Sequence, residues 1–189
     1  MKTMRIGILG GSFDPIHHGH LILARAAKEE LGLDRIVFVP ANKSPHKADT
    51  KPATAENRME MVRLAIEGEA GFEASDIELQ RPAPSYTVET LRELKRSRPK
   101  DEFVLLIGAD NVATFHTWRE PEEIRRLAQI AVLDRAGHAA AGEWPVVRRL
   151  IDISSTDIRA RAADGRSIRY LTPDAVCDYI TTHSLYRTA

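Results

Sequence analysis

A single cysteine, Cys177, occurs in the chain, so there is no internal disulfide and no thiolate-based zinc site. Neither sign of charge predominates: Lys+Arg 27 stand against Asp+Glu 27. That argues against a general nucleic-acid binder, which carries a basic excess, but leaves room for a local basic pocket that takes a small anion. No apolar run approaches the ~18 residues of a membrane helix, and the apolar part of Met1–Gly10 is too short for a signal-peptide core. The expected setting is the cytoplasm, with no membrane partner. A Gly-x-Gly-x-x-Gly dinucleotide fingerprint is also missing from the first glycine turn.

Short, β-branched apolar runs alternate with longer amphipathic stretches. The runs are Ile6–Leu9, Ile36–Val39, Phe103–Ile107 and Ile130–Leu133, with Ile151–Ile153 a weaker candidate. Nearly uncharged runs of this kind suit strands covered on both faces of a parallel sheet. Helical patterns fall at His20–Leu31 before Gly32, around Met59–Ile66 before Gly68, from Tyr86 past Leu94, after Glu120-Pro121, and from Thr172-Pro173 to about Thr182. Strand–helix–strand repetition predicts an α/β fold: a Rossmann-like, doubly wound parallel sheet with helices on both faces. The whole of 1–189 is expected to be one domain. Asn42–Ala53, with two prolines and three lysines, is too long for a plain connector and reads as a functional loop.

Chemistry concentrates at strand ends. The first strand runs into Gly10-Gly11-Ser12-Phe13-Asp14-Pro15-Ile16-His17-His18-Gly19-His20. Glycines there admit a ligand close to the backbone, and the following helix points its free N–H groups at it. His17 and His20, three apart, share one face of the first turn. Gly19 leaves room for phosphate oxygens. A His-x-x-His zinc site needs a further ligand, for which Asp14 or His18 could be proposed while the other histidines are scattered, and plain helix capping by the histidines is the bland alternative. Late in the chain, Ser154-Ser155-Thr156-Asp157-Ile158-Arg159 sets hydroxyls at a helix start and an arginine fork one turn inside, suited to phosphate or to plain capping. His46 and Lys47 bring positive charge in the long loop. Tyr86 and Thr87 begin a helix that suits a carboxylate. Asp110, after Gly108, sits where ribose hydroxyls are often held. Trp118 is either core or a stacking plate, and Trp144 reads as packing.

These residues, with Ser44–Lys47, Ser85–Thr87 and Thr90, Gly108–Asn111, Trp118 and Tyr170–Pro173, resemble the His-x-Gly-His nucleotidyltransferase superfamily. Within it they are most similar to the bacterial nicotinate-nucleotide adenylyltransferases, in family order from about residue 5 to 183. The resemblance implies an enzyme of NAD biosynthesis that transfers the adenylyl group of ATP to nicotinate mononucleotide and releases pyrophosphate. It implies catalytic His17, His20 and Arg159. It implies an ATP site made of Gly10, Gly11, Ser12, Phe13, His17, His20, His46, Lys47, Gly108, Asp110, Ser154, Ser155 and Arg159. The mononucleotide falls to Tyr86, Thr87, Trp118 and Arg135. Mg²⁺ is expected to come with ATP, with no residue assigned as its ligand. The chain departs from the family's Arg-Pro-Gly at Arg135-Ala136-Gly137. A phosphopantetheine-type adenylyltransferase and a nucleotide sensor without turnover remain as rivals. The oligomeric state stays open, homo-oligomer included.

Overall fold

The computed structural model describes residues 3–42, 53–135, 137 and 142–187. In chain order the elements are β1 (Arg5–Gly11), α1 (His18–Glu30), β2 (Arg35–Pro40), α2 (Ala55–Ile66), β3 (Phe72–Ala74), α3 (Thr87–Ser97), β4 (Glu102–Gly108), α4 (Pro121–Leu127), β5 (Gln129–Asp134), β6 (Val146–Arg148), α5 (Ser155–Ala163) and α6 (Asp174–Thr182). Two 3₁₀ turns, Ala109–Asn111 and Phe115–Thr117, follow β4. The six strands form one sheet in the order β3-β2-β1-β4-β5-β6, every pairing parallel. This is the doubly wound α/β architecture expected from the alternation of runs.

Strand periodicity sorts the side chains into two cores. From β1, Ile6 and Ile8 face one layer and Leu9 the other; from β4, Phe103, Leu105 and Ile107 part in the same way from Val104 and Leu106. One layer is closed by Val88, Leu91 and Leu94 of α3 and Ile124 of α4. The opposite layer is closed by Leu23 and Ala27 of α1, Met61 and Val62 of α2, Ile158 of α5, and Val176 and Ile180 of α6. With both faces covered, the strands need apolar residues at every position, and that produced the unbroken runs.

The weaker strand candidate is corrected. Ile151–Ile153 lies outside every strand, held by a bond from the Ile151 N–H to the Arg135 carbonyl (2.9 Å) on the approach to α5. The sixth strand is instead Val146–Arg148, three residues after Pro145 that pair with the end of β5. Strand β3 was also unannounced; three residues at a sheet edge leave too little pattern to register.

Chain reversal at the middle of the order sets the site. From β1 the chain moves outward to β2 and β3, then returns to lay β4 on β1's other side. Loops leaving the C-terminal ends of β1 and β4 therefore part to opposite faces and open a crevice between them. Among the described residues no helix is long and apolar enough to cross a membrane.

Leu91 is fully buried beneath that crevice. Leu91→Ala should lower unfolding stability by about 3 kcal/mol, through lost burial and the cavity left behind. Urea denaturation followed by circular dichroism reads this directly, and a loss below about 1 kcal/mol would contradict the packing described.

Candidate functional site

At the end of β1 the two glycines differ. An added Cβ at Gly10 would meet nothing within 4 Å, whereas one at Gly11 would stand 3.0 Å from the Phe13 ring. Gly10 thus faces the open crevice and Gly11 makes room for Phe13, which is buried with φ at 46°. The chain then passes a cis Asp14–Pro15 peptide and enters α1 with His17 as its N-cap.

The two histidines come together as their spacing predicts. Their rings stack with centroids 3.7 Å apart, and the Phe13 ring meets His20 edge-on at 5.1 Å. The His17 backbone N–H donates to Nδ1 of His20 (3.2 Å). A neutral His20 therefore carries its proton on Nε2, as a donor. His17 is only 2% exposed. Burial, then the positive charge of Arg135 and of neighbouring His18, pushes its pKa down from 6.5 to about 4. At neutral pH it is an uncharged ring, and its buried Nδ1 is turned to the first turn of α1, where His17 and His20 form a capping box. Gly19 serves this ring: a Cβ there would lie 3.0 Å from the His17 imidazole. The space expected to be kept for phosphate oxygens is taken by His17 itself.

The late motif meets the early one. Ser154 caps α5 by accepting from the Asp157 N–H (3.1 Å). Ser155 Oγ donates to the Pro15 carbonyl (2.9 Å), and Arg159 Nη1 donates to the Asp14 carbonyl (2.7 Å). Residues 140 apart in sequence thus form one wall. Arg135 belongs to the same wall: its Nη1 donates to the Ile153 carbonyl (3.2 Å), and its charge reaches His17.

Across the crevice, β4 ends at Gly108, whose missing side chain lets the Asp110 carboxylate fold back over the strand end, where it accepts from Asn111 Nδ2 (3.1 Å). Tyr86 caps α3 and Thr87 opens it. The Arg119 guanidinium covers the Tyr86 ring at 4.7 Å. Beneath them, buried Thr90 donates to Glu78 (2.6 Å) and accepts from Arg81 (2.6 Å). Burial raises the Glu78 pKa, against the pull of Thr90, Ser85 and Arg81. Trp118 is half-buried, tilted on Phe115 at 5.4 Å, with its indole N–H buried and unpartnered. Trp144 packs on Phe115 and under Arg125, as read from sequence.

His46 and Lys47 lie outside the described residues. Among the described residues no three His, Cys, Asp or Glu side chains converge as a metal site. A cavity of about 500 Å³ lined by Arg166, Arg169, Cys177 and Thr181 lies apart from every predicted site residue.

Sequence reasoning missed three groups. Arg58, in α2, is 3% exposed and donates to the carbonyls of Ser12, Asn42 and Ala53. Asp14 was considered only within its motif and as a candidate zinc ligand, yet its carboxylate is buried, and Tyr186, after the last helix, donates to it (2.7 Å). An arginine among apolar helix positions and a tyrosine in a tail carry no periodic signal. Their depth is a tertiary fact.

Residues 8–161 match the family model described as cytidylyltransferase-like. A probable nicotinate-nucleotide adenylyltransferase of Thermus thermophilus is 47% identical over 188 residues, spanning 97% of this chain and 100% of the relative. Another, from Roseiflexus, is 46% identical over 200 residues, spanning 99% and 100%. Among solved structures, the nicotinic acid mononucleotide adenylyltransferase of Plasmodium falciparum complexed with APC is similar in fold, with a TM-score of 0.78 at 20% identity over 97% of each chain.

The buried neutral His17 has a measurable signature. Its folded pKa, about 4, lies below the 6.5 of an unfolded histidine. Between those values the unfolded chain takes up a proton that the folded chain refuses, so stability falls as pH drops. The loss approaches about 3 kcal/mol near pH 4. His17→Asn should flatten the stability curve between pH 6.5 and 4 by about that amount relative to wild type. Parallel curves for the two proteins would mean the ring is not held neutral.

Proposed function

We infer that this chain, which belongs to the cytidylyltransferase-like family and within it to the nicotinate-nucleotide adenylyltransferases, transfers the adenylyl group of ATP to nicotinate mononucleotide, forming nicotinate adenine dinucleotide and pyrophosphate. The observation that carries the reading is the shared wall: the Ser154–Arg159 helix start bonds directly to the loop that delivers His17 and His20. An anion lying over that junction meets imidazole, guanidinium and helix-start amides together.

In the proposed chemistry a phosphate oxygen of the mononucleotide attacks the α-phosphorus of ATP. The bond from that phosphorus to the bridging oxygen breaks, and pyrophosphate leaves with the electron pair. Catalysis then consists of positioning and charge stabilisation. His20 donates from Nε2 to a phosphate oxygen, an assignment supported by its occupied Nδ1. His17 acts as a dry, neutral hydrogen-bonding group; its Nδ1 is turned to Gly19 and the first turn of α1, which leaves Nε2 for a phosphate oxygen. Arg159 offsets the charge of the leaving pyrophosphate, and Ser154 and Ser155 hold it at the start of α5. Gly10, Gly11, Ser12 and Phe13 line the nucleotide's approach, and Gly108 and Asp110 serve its sugar. His46 and Lys47 contribute positive charge in the same proposal.

Tyr86, Thr87 and Trp118 take the pyridine: helix-start donors for its carboxylate and an aromatic face for its ring. Arg135, assigned to the mononucleotide, stands beside His17 instead of this group, so we place it on the mononucleotide's phosphate, where the two substrates meet. Mg²⁺ enters as MgATP, its oxygen ligands those of the polyphosphate and water. The chemistry is that of a cytoplasmic biosynthetic enzyme, and each residue named comes from one chain.

Incubation with ATP and nicotinate mononucleotide should release pyrophosphate. His20→Ala should lower kcat by about 100-fold or more while shifting the thermal midpoint little; near-normal turnover would remove His20 from the mechanism. Substrate choice tests the other half of the site. Nicotinamide mononucleotide forfeits the charge-assisted bonds at Thr87, so its kcat/KM should fall at least about 50-fold below that of the acid. Comparable efficiency on both would refute the carboxylate assignment.

A further inference from the structure

Arg58 is unusual in what it binds. It is buried on α2, yet makes no ion pair among the described residues. Its donors go to three main-chain carbonyls: Nη1 to Ser12 (2.7 Å), Nη2 to Asn42 (3.0 Å) and Nε to Ala53 (3.2 Å). Those carbonyls belong to two different strand-to-helix connections, the one carrying His17 and the one that runs from β2 to α2. A planar guanidinium with donors on three nitrogens reaches all of them at once; a lysine ammonium, with its donors on one atom, does not.

The carboxylate of Asp14 completes the arrangement. Oδ1 accepts from the Ala53 N–H (3.1 Å) and from the Tyr186 hydroxyl (2.7 Å), and Oδ2 stands 4.0 Å from Arg159 Nη1. Burial and the Asp14 charge raise the Tyr186 pKa, so its hydroxyl remains a donor throughout the working range. The carbonyl of the same Asp14 receives Arg159 (2.7 Å). Ser12 is thus gripped from below by Arg58, and Asp14 is gripped by Tyr186 and Arg159.

The grip has a direction. In a trans peptide the N–H points opposite to the carbonyl. With the Ser12 carbonyl drawn down to Arg58, the Phe13 N–H points the other way, and it finds no hydrogen-bond partner among the described residues. Holding one carbonyl fixes one donor of the proposed nucleotide site.

We propose that Arg58 is a positioning residue for the ATP half of the site, setting the Ser12–Phe13 peptide through its three-carbonyl fork, and that Tyr186 sets Asp14 and hence Arg159 from the opposite side. This rests on the assignment of the Gly10–His20 loop and Arg159 to ATP. Among the described residues the pyridine group is reached through Asn42, whose N–H donates to Ser85 Oγ (3.2 Å) and whose Nδ2 donates to the Arg81 carbonyl (2.8 Å).

Two conservative variants test it: Arg58→Lys, which keeps the charge and loses the fork, and Tyr186→Phe, which loses one hydroxyl. MgATP affinity is measured by titration calorimetry without acceptor, alongside KM for each substrate and the thermal midpoint. Arg58→Lys should bind MgATP about tenfold more weakly and Tyr186→Phe about threefold, with KM for nicotinate mononucleotide changed less than about twofold. A merely structural role lowers the midpoint and the active fraction but leaves both affinities alone. Unchanged MgATP affinity in the folded variants, or equal losses for both substrates, overturns the proposal. Should Arg58→Lys fail to fold, Tyr186→Phe decides alone. A wild-type protein that binds MgATP without releasing pyrophosphate would strike the proposed reaction and leave this inference standing.

Discussion

Two hydrogen bonds to main-chain carbonyls hold the proposed site together: Ser155 Oγ to Pro15 and Arg159 Nη1 to Asp14. They join the first connection of the sheet to one of the last helices. Parallel strands make it possible. Every strand delivers its C-terminal end to the same edge, so a loop after β1 and a helix start after β6 arrive at one level. Without that constraint the histidines and the serines would be two unrelated cappings.

The electrostatics of the site follow from burial more than from count of charges. His17 is neutral because it is dry and has Arg135 and His18 as neighbours. Burial works against the charge of Arg58, and the nearby Asp14 carboxylate and three carbonyl dipoles work for it. A chain with no net charge thereby keeps a crevice edge dominated by donors and cations, the environment a polyphosphate requires.

Much of this was legible before any coordinates. Runs such as Phe103–Ile107 carry no polar residue because both sides of the sheet are covered, so they announced a parallel sheet. Helix starts were marked by the prolines of Glu120-Pro121 and Thr172-Pro173, although the Thr172 hydroxyl, read as a cap, donates instead to the distant Ile16 carbonyl (2.7 Å). The motif residues were found by type and spacing. What escaped depends on distant chain. β3 and β6 are three residues each and exist through their pairing partners. Gly19 looked like space for a ligand, and only the folded His17 ring shows whose space it is. Arg135 could be listed with the mononucleotide, but its place beside His17 required the turn after β5.

Gly10 separates two properties that usually travel together. Among the described residues nothing stands within 4 Å of where its side chain would be, and its φ lies outside the left-handed region. A methyl group there disturbs none of the described packing and intrudes only on the crevice. The position is therefore a natural gauge for the crevice: graded substitution narrows the aperture step by step while the packing behind it stays as it is.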